Sequence, residues 1–166
     1  FSASHLKSVV DAAAELSLPI VADEVYADMV FGDRSFVSVA SVSRDVPVLS
    51  VGGISKQFVV PGWRLGWLLI HDRNGVLEAG RVREGIQKLT TRMLIPHAPT
   101  QALVPRMLSK GSTSGYLQKL MKALESNAMV LIEGLEDAVG VRIVQPQGSM
   151  YLMVEIDVDR LGFEDD

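Results

Sequence analysis

The sequence has no cysteine, which excludes a disulfide framework and a thiolate metal site. Its three histidines, His5, His71 and His97, are scattered without ligand spacing, so no metal site is expected. No apolar run approaches the roughly 18 residues that a membrane-spanning helix needs. Positive charge is also short: 16 Lys and Arg stand against 20 Asp and Glu, a net charge of −4. A nucleic-acid binder displays a basic face, so neither nucleic acid nor a membrane is an expected partner. There is no internal repeat and no low-complexity tract. What remains is a chain of 166 residues, 48% hydrophobic, the composition of an ordinary globular protein. Its length suits one domain or part of a larger one.

The chain opens on Phe1 rather than Met, and Glu164-Asp165-Asp166 closes it soon after an apolar run. It is therefore expected to be an internal piece of a longer protein. No signal or transit segment is visible. A cytoplasmic location is expected, with a mitochondrial one left open.

Helix and strand patterns alternate. Ser2 or Ser4 can cap a first helix, whose apolar face carries Leu6, Val9, Val10, Ala13 and Leu16 and which Pro19 ends. Ile20-Val21-Ala22 reads as a buried strand with its C-terminal end at Asp23. That end matters, because open α/β sheets bind ligands beyond the carboxyl ends of their strands. Val46–Val51 and Leu65–Ile70 read as two further strands. The stretch 76–94 has helical spacing, and Pro96, Pro99 and Pro105 are expected to kink or break the pattern after it. Lys110–Gly115 is the best linker. A long helix is expected over 116–138, with Leu117, Leu120, Met121, Leu124, Ala128, Leu131 and Leu135 on its face and Gly140 as a stop. Val141–Val144 and Ser149–Ile156 read as strands of a second unit. The alternation predicts an α/β fold with a largely parallel sheet.

Lys56 stands out by its company. Asp23 and Tyr26 lie upstream in Asp23-Glu24-Val25-Tyr26, and Arg64 lies downstream in Pro61-Gly62-Trp63-Arg64-Leu65-Gly66-Trp67. A carboxylate, a phenol, an amine and a guanidinium in this order are the parts that hold pyridoxal phosphate. The lysine can form a Schiff base with the aldehyde and the carboxylate can pair with the pyridinium nitrogen. Asp23-Glu24-Val25-Tyr26, Ser55-Lys56 and Gly62-Trp63-Arg64-Leu65-Gly66 resemble the cofactor motifs of the fold-type I pyridoxal-phosphate aminotransferases. Val60–Trp67, Leu69–Arg73 and Gly148–Met153 are similar to the tyrosine aminotransferase group of that family, and the likeness runs through nearly the whole chain.

The resemblance implies roles and an architecture. Lys56 would carry pyridoxal 5′-phosphate and then act as the base that moves the Cα proton. Asp23, rather than its neighbour Glu24, would pair with the ring nitrogen, and Tyr26 would donate to the phenolate oxygen. Arg64 and Ser55 would hold the phosphate, with Ser50 a less certain contributor. Some relatives carry a serine where this chain has Gly53, so that phosphate contact is absent or made by a backbone N–H. Trp63 and Trp67 are expected to pack in the core. Met150, Tyr151 and Met153 are expected to fill core or line an interface, and the acidic tail to be solvated. The implied fold is a three-layer αβα large domain, partial, over residues 1–111. The connecting helix and the start of a small α+β domain would follow over 112–166.

The implied reaction is amino-group exchange between an aromatic L-amino acid and a 2-oxo acid, commonly 2-oxoglutarate, by a ping-pong mechanism in a homodimer. In relatives the Gly-rich phosphate turn, the stacking ring and an asparagine lie before the segment matching Phe1. The arginine that grips the substrate carboxylate lies after the segment matching Asp166. This chain alone is therefore expected to lack useful transaminase activity. The same motifs suit a carbon–sulfur lyase or an aminocyclopropane-carboxylate synthase. A non-enzymatic regulator that senses the cofactor would need a DNA-binding region upstream.

Overall fold

A computed structural model describes residues 1–92, 96–111 and 115–162. Its backbone clusters into two units, residues 1–28 with 36–110 and residues 29–35 with 111–166.

In the first unit, helix α1 (Ala3–Glu15) begins where Ser2 accepts a hydrogen bond from His5 N at 3.2 Å. This is the cap the sequence signals. Leu6 and Val10 are its buried residues. Strand β1 (Ile20–Asp23) follows Pro19 and pairs in parallel with β2 (Val48–Gly53). The connection between them contains a short helix, α2 (Val39–Val42), packed beside α1. Ala22, Ala40 and Val48 form the buried cluster, with Ile20 and Val39 against it.

Strand β3 (Gly66–His71) pairs with β2 antiparallel, in the order β1-β2-β3. The sheet is thus mixed, where a largely parallel one was expected. The reason is the connection. Between Gly53 and Gly66 lie only a one-turn helix, α3 (Ile54–Gln57), and a 3-10 turn at Pro61–Trp63. A parallel crossover usually carries a helix that runs back along the sheet, and this connection has only single turns, so the chain turns back beside the strand it has just left.

The helical stretch after β3 is two helices, α4 (Val76–Ala79) and α5 (Val82–Thr90), with Arg81 between them in the left-handed region (φ 55°). The prolines do not break the next element. Helix α6 (Ala98–Gly111) contains Pro99 and Pro105. Pro99 falls in the first turn, where no intrahelical donor is needed. Pro105 removes one bond from the ladder and the helix continues past it. Residues 93–95, and Ser112–Ser114 of the expected linker, lie outside the described residues, as does the acidic tail.

In the second unit, α7 (Tyr116–Leu135) is followed by an antiparallel pair, β4 (Val141–Val144) and β5 (Met153–Ile156), and a one-turn helix, α8 (Val158–Leu161). Gly140 takes a positive φ just before β4. The expected face of α7 holds except at Leu131, which is 52% exposed. Ile132, four residues beyond Ala128, takes the inward position. The strand expected over 149–156 is only its second half. Ser149 instead adopts φ 69° and donates its N–H to Met29 O at 2.7 Å. Val30 and Gly148 form an isolated bridge, and Phe31 N donates to Gln147 O at 3.0 Å. Met150, Tyr151 and Met153 are exposed rather than core, as is Trp63 in the first unit.

Candidate functional site

Three segments that bear the motifs meet at one end of the first unit's sheet. β1 and β2 are parallel, so their carboxyl ends lie together. β3 runs the other way and begins there. Asp23 ends β1 opposite Val51, and Glu24 N donates to Val51 O at 2.9 Å. A turn closed by Ala27 N on Glu24 O, at 3.0 Å, then carries Tyr26. β2 runs two residues further than β1, to Gly53, and α3 presents Ser55 and Lys56 directly beyond it. Ile54 anchors that single turn, with no exposed surface at all.

The return path fixes Arg64. After the 3-10 turn, Arg64 adopts the left-handed conformation (φ 48°, ψ 47°) and its Nη1 donates to Pro61 O at 3.0 Å. Ile54 N then donates to Leu65 O at 3.3 Å, and Gly53 is paired with Gly66. Glycine is required at Gly66, and little room is left for a side chain at Gly53. A Cβ on Gly66 would lie 2.9 Å from Gly52 O, and one on Gly53 would lie 3.3 Å from Leu65 O. The residues just before Lys56 and just after Arg64 are therefore joined backbone to backbone.

Of the predicted side chains, Lys56 and Tyr26 are brought together most directly. Lys56 Nζ lies 5.6 Å from the centroid of the Tyr26 ring, within range of a cation–ring contact. Asp23 is exposed, and its Oδ1 accepts from Val25 N at 3.3 Å. Its neighbour Glu24 is engaged elsewhere. Glu24 accepts from Val39 N at 2.9 Å and from Ser38 Oγ at 3.1 Å, which caps the start of α2. Two adjacent carboxylates thus have different duties, and the one left at the strand end is Asp23.

Ser50 is not brought to the group. Side chains alternate along a strand, and Ser50 sits opposite Ala22 while Asp23 sits opposite Val51. Ser50 therefore shares the buried face of Ala22 and not the face of Asp23. Its hydroxyl is buried and has no hydrogen-bond partner among the described residues. It lines a cavity of about 130 Å³ together with Glu24, Asp28, Gln57 and Trp67. Trp67, expected in the core, is half-buried with its indole over Gly52. One contact had no signal in the sequence: Gln57 Nε2 donates to Asp28 Oδ2 at 2.7 Å, across 29 residues.

Residues 1–161 match the family model described as aminotransferase class I and II. The chain is 41% identical over 167 residues to the tyrosine aminotransferase of Homo sapiens, which covers all of this chain and 36% of that protein. It is 34% identical over 159 residues to the S-alkyl-thiohydroximate lyase SUR1 of Arabidopsis thaliana, which covers 95% of this chain and 34% of that protein. Among solved structures, the tyrosine aminotransferase of Leishmania infantum superposes with a TM-score of 0.88 at 32% identity, covering 95% of this chain and 38% of that one. The chain spans a little over a third of the length of these relatives.

Proposed function

We propose a function from the premise that this chain belongs to the class I and II aminotransferase family. The corner at the sheet end binds pyridoxal 5′-phosphate, and the protein that carries it is a tyrosine aminotransferase-like enzyme. Its reaction moves an amino group from an aromatic L-amino acid to a 2-oxo acid such as 2-oxoglutarate. The observation that carries this reading is the meeting of the Asp23–Tyr26, Ser55–Lys56 and Arg64 segments at one strand end, with Lys56 Nζ over the Tyr26 ring.

The donor set suits the group. It offers one amine, one carboxylate, one phenol, a hydroxyl and a guanidinium, around glycines that let the backbone come close. When bound, the cofactor supplies an aldehyde and a ring that withdraws electrons from the substrate Cα. Lys56 is the attachment point, and its amine, once released, takes and returns the Cα proton. Asp23 holds a proton on the ring nitrogen by charge pairing. Tyr26 donates its O–H to the ring oxygen. Arg64 grips the phosphate, for which a planar guanidinium fork is the matching shape, and Ser55 adds a hydroxyl. Residues 1–111 are part of the large domain and 112–166 the start of the small one, and the complete enzyme is a homodimer.

The test uses the full-length protein. After borohydride reduction, peptide mass mapping is expected to find the cofactor on Lys56, and Lys56→Ala to abolish both this adduct and the conversion of tyrosine with 2-oxoglutarate. An adduct on another lysine refutes the reading. A second reading, a carbon–sulfur lyase, is favoured by the relative of that name at 34% identity. It predicts release of a thiol from an S-conjugated substrate, with no glutamate formed from tyrosine and 2-oxoglutarate.

A further inference from the structure

The segment that carries Lys56 is a single helical turn. Helix α3 has four residues and no side-chain cap, and it ends at Phe58, whose N–H returns to Ile54 O at 3.1 Å. Val59 follows at φ 54°, a left-handed conformation that a β-branched residue resists. A single turn satisfies few of its own backbone groups, so its orientation depends on ties to neighbouring segments. Two ties hold its start: the fully buried Ile54 side chain, and Ile54 N on Leu65 O. At its far end, Gln57, the residue next to Lys56, donates to Asp28 at 2.7 Å. Asp28 stands two residues beyond Tyr26, in the segment whose ring lies 5.6 Å from Lys56 Nζ. The tie therefore joins the two segments whose side chains must keep register with each other.

We propose that Asp28 and Gln57 are positioning residues. Their hydrogen bond fixes the rotation of the lysine-bearing turn about its Ile54 anchor, and so the placement of Lys56 Nζ against the Tyr26 ring. Neither residue touches the reacting atoms. Because the acceptor is a carboxylate, the bond belongs to the stronger class, and loss of either partner releases the same constraint. This inference rests on the functional reading above and adds to it what sets the geometry of the attachment lysine.

The experiment compares full-length Asp28→Ala, Gln57→Leu, the double variant and Asp28→Asn. Each is loaded with pyridoxal phosphate, and loading is quantified by borohydride trapping at Lys56. The readout is the visible circular dichroism per trapped cofactor, which reports how firmly the ring is oriented and is not set by stability alone. Gln57→Leu keeps much of the bulk and removes the amide that supplies the donor, while Asn at position 28 keeps an acceptor oxygen. Asp28→Ala and Gln57→Leu are each expected to lower the signal at least twofold at equal loading. The double variant is expected to lower it no further than either single change, as for partners in one bond, and Asp28→Asn to retain it. Unchanged dichroism in the single variants overturns the inference, as do additive losses or an Asp28→Asn that behaves like Asp28→Ala. A parent protein with no adduct on Lys56 overturns the functional reading and this inference with it. An adduct with unmoved dichroism overturns this inference alone.

Discussion

Gly148→Ala is the substitution whose cost can be worked most directly from the geometry. A Cβ at position 148 would stand 2.1 Å from Met29 O, 2.9 Å from Val30 Cα and 3.1 Å from Met29 C. All three neighbours are backbone atoms, so no rotamer change relieves the overlap. Restoring ordinary contact requires the two segments to move apart by about 1 Å, an overpacking cost of roughly 1–3 kcal/mol. That movement also stretches Ser149 N to Met29 O and Phe31 N to Gln147 O, now 2.7 and 3.0 Å, beyond useful hydrogen-bond range. Each lost bond adds about 1 kcal/mol. The expected total is about 3–5 kcal/mol, concentrated at this crossing. Native-state hydrogen exchange at the Phe31 and Ser149 amides measures it locally, because these N–H groups make the threatened bonds. Exchange is expected to accelerate by at least ~100-fold. Rates within threefold of the parent protein would refute the steric reasoning.

Gly85→Ala is the opposite case: it lies within α5 with nothing within 4 Å of its would-be Cβ. It is expected to stabilise the chain by about 0.5–1 kcal/mol, seen as a higher urea midpoint. Ile54→Ala removes the anchor of the lysine-bearing turn, and a cost of about 2–5 kcal/mol is expected. In the same urea titration an unchanged midpoint would mean that the site is not packed. Glu84 is held below the ordinary carboxylate value of 4.5, first by Lys88 and then by Arg81, to which it is ion-paired. A depressed folded value stabilises above the unfolded pKa and is lost as pH falls through the folded one. Glu84→Gln is therefore expected to flatten the acid side of the stability profile below about pH 4.5. The change is expected to be slight, because the pair is exposed.

Local punctuation made part of this fold readable. Pro19 and the acidic pair at Asp23-Glu24 delimit β1, and Ser2 caps α1 as its type suggests. Long-range pairing was not readable. Nothing in Leu65–Ile70 says whether the strand lies parallel or antiparallel to β2; the lack of a helix long enough to cross the sheet in the preceding connection goes with the antiparallel return. Proline carried too much weight at 99 and 105: Pro99 sits in the first turn, where no donor is needed, and α6 continues past Pro105 despite the lost bond. At the site, the residues of the Asp23, Lys56 and Arg64 segments were legible through resemblance, and their meeting at one strand end follows from the register of β1, β2 and β3. That same register turns Ser50 to the other face. A single sequence cannot supply it, since a shift of one residue exchanges the two faces. The Asp28–Gln57 bond was hidden for a similar reason, as two ordinary polar residues far apart in the chain.

The loan of Met29–Ser35 to the second unit has a practical outcome for dissection. A cut after residue 110 would leave that stretch attached to the wrong partner. Met29 and Phe31, only 1% and 4% exposed in the intact chain, would lose the Gln147–Ser149 segment on which their backbone is hung. Such a shortened polypeptide would carry two bare apolar side chains only a few residues from Tyr26, and would be prone to self-association. Separating the halves cleanly would require replacing residues 29–35 with a short polar loop, as well as choosing where the polypeptide stops.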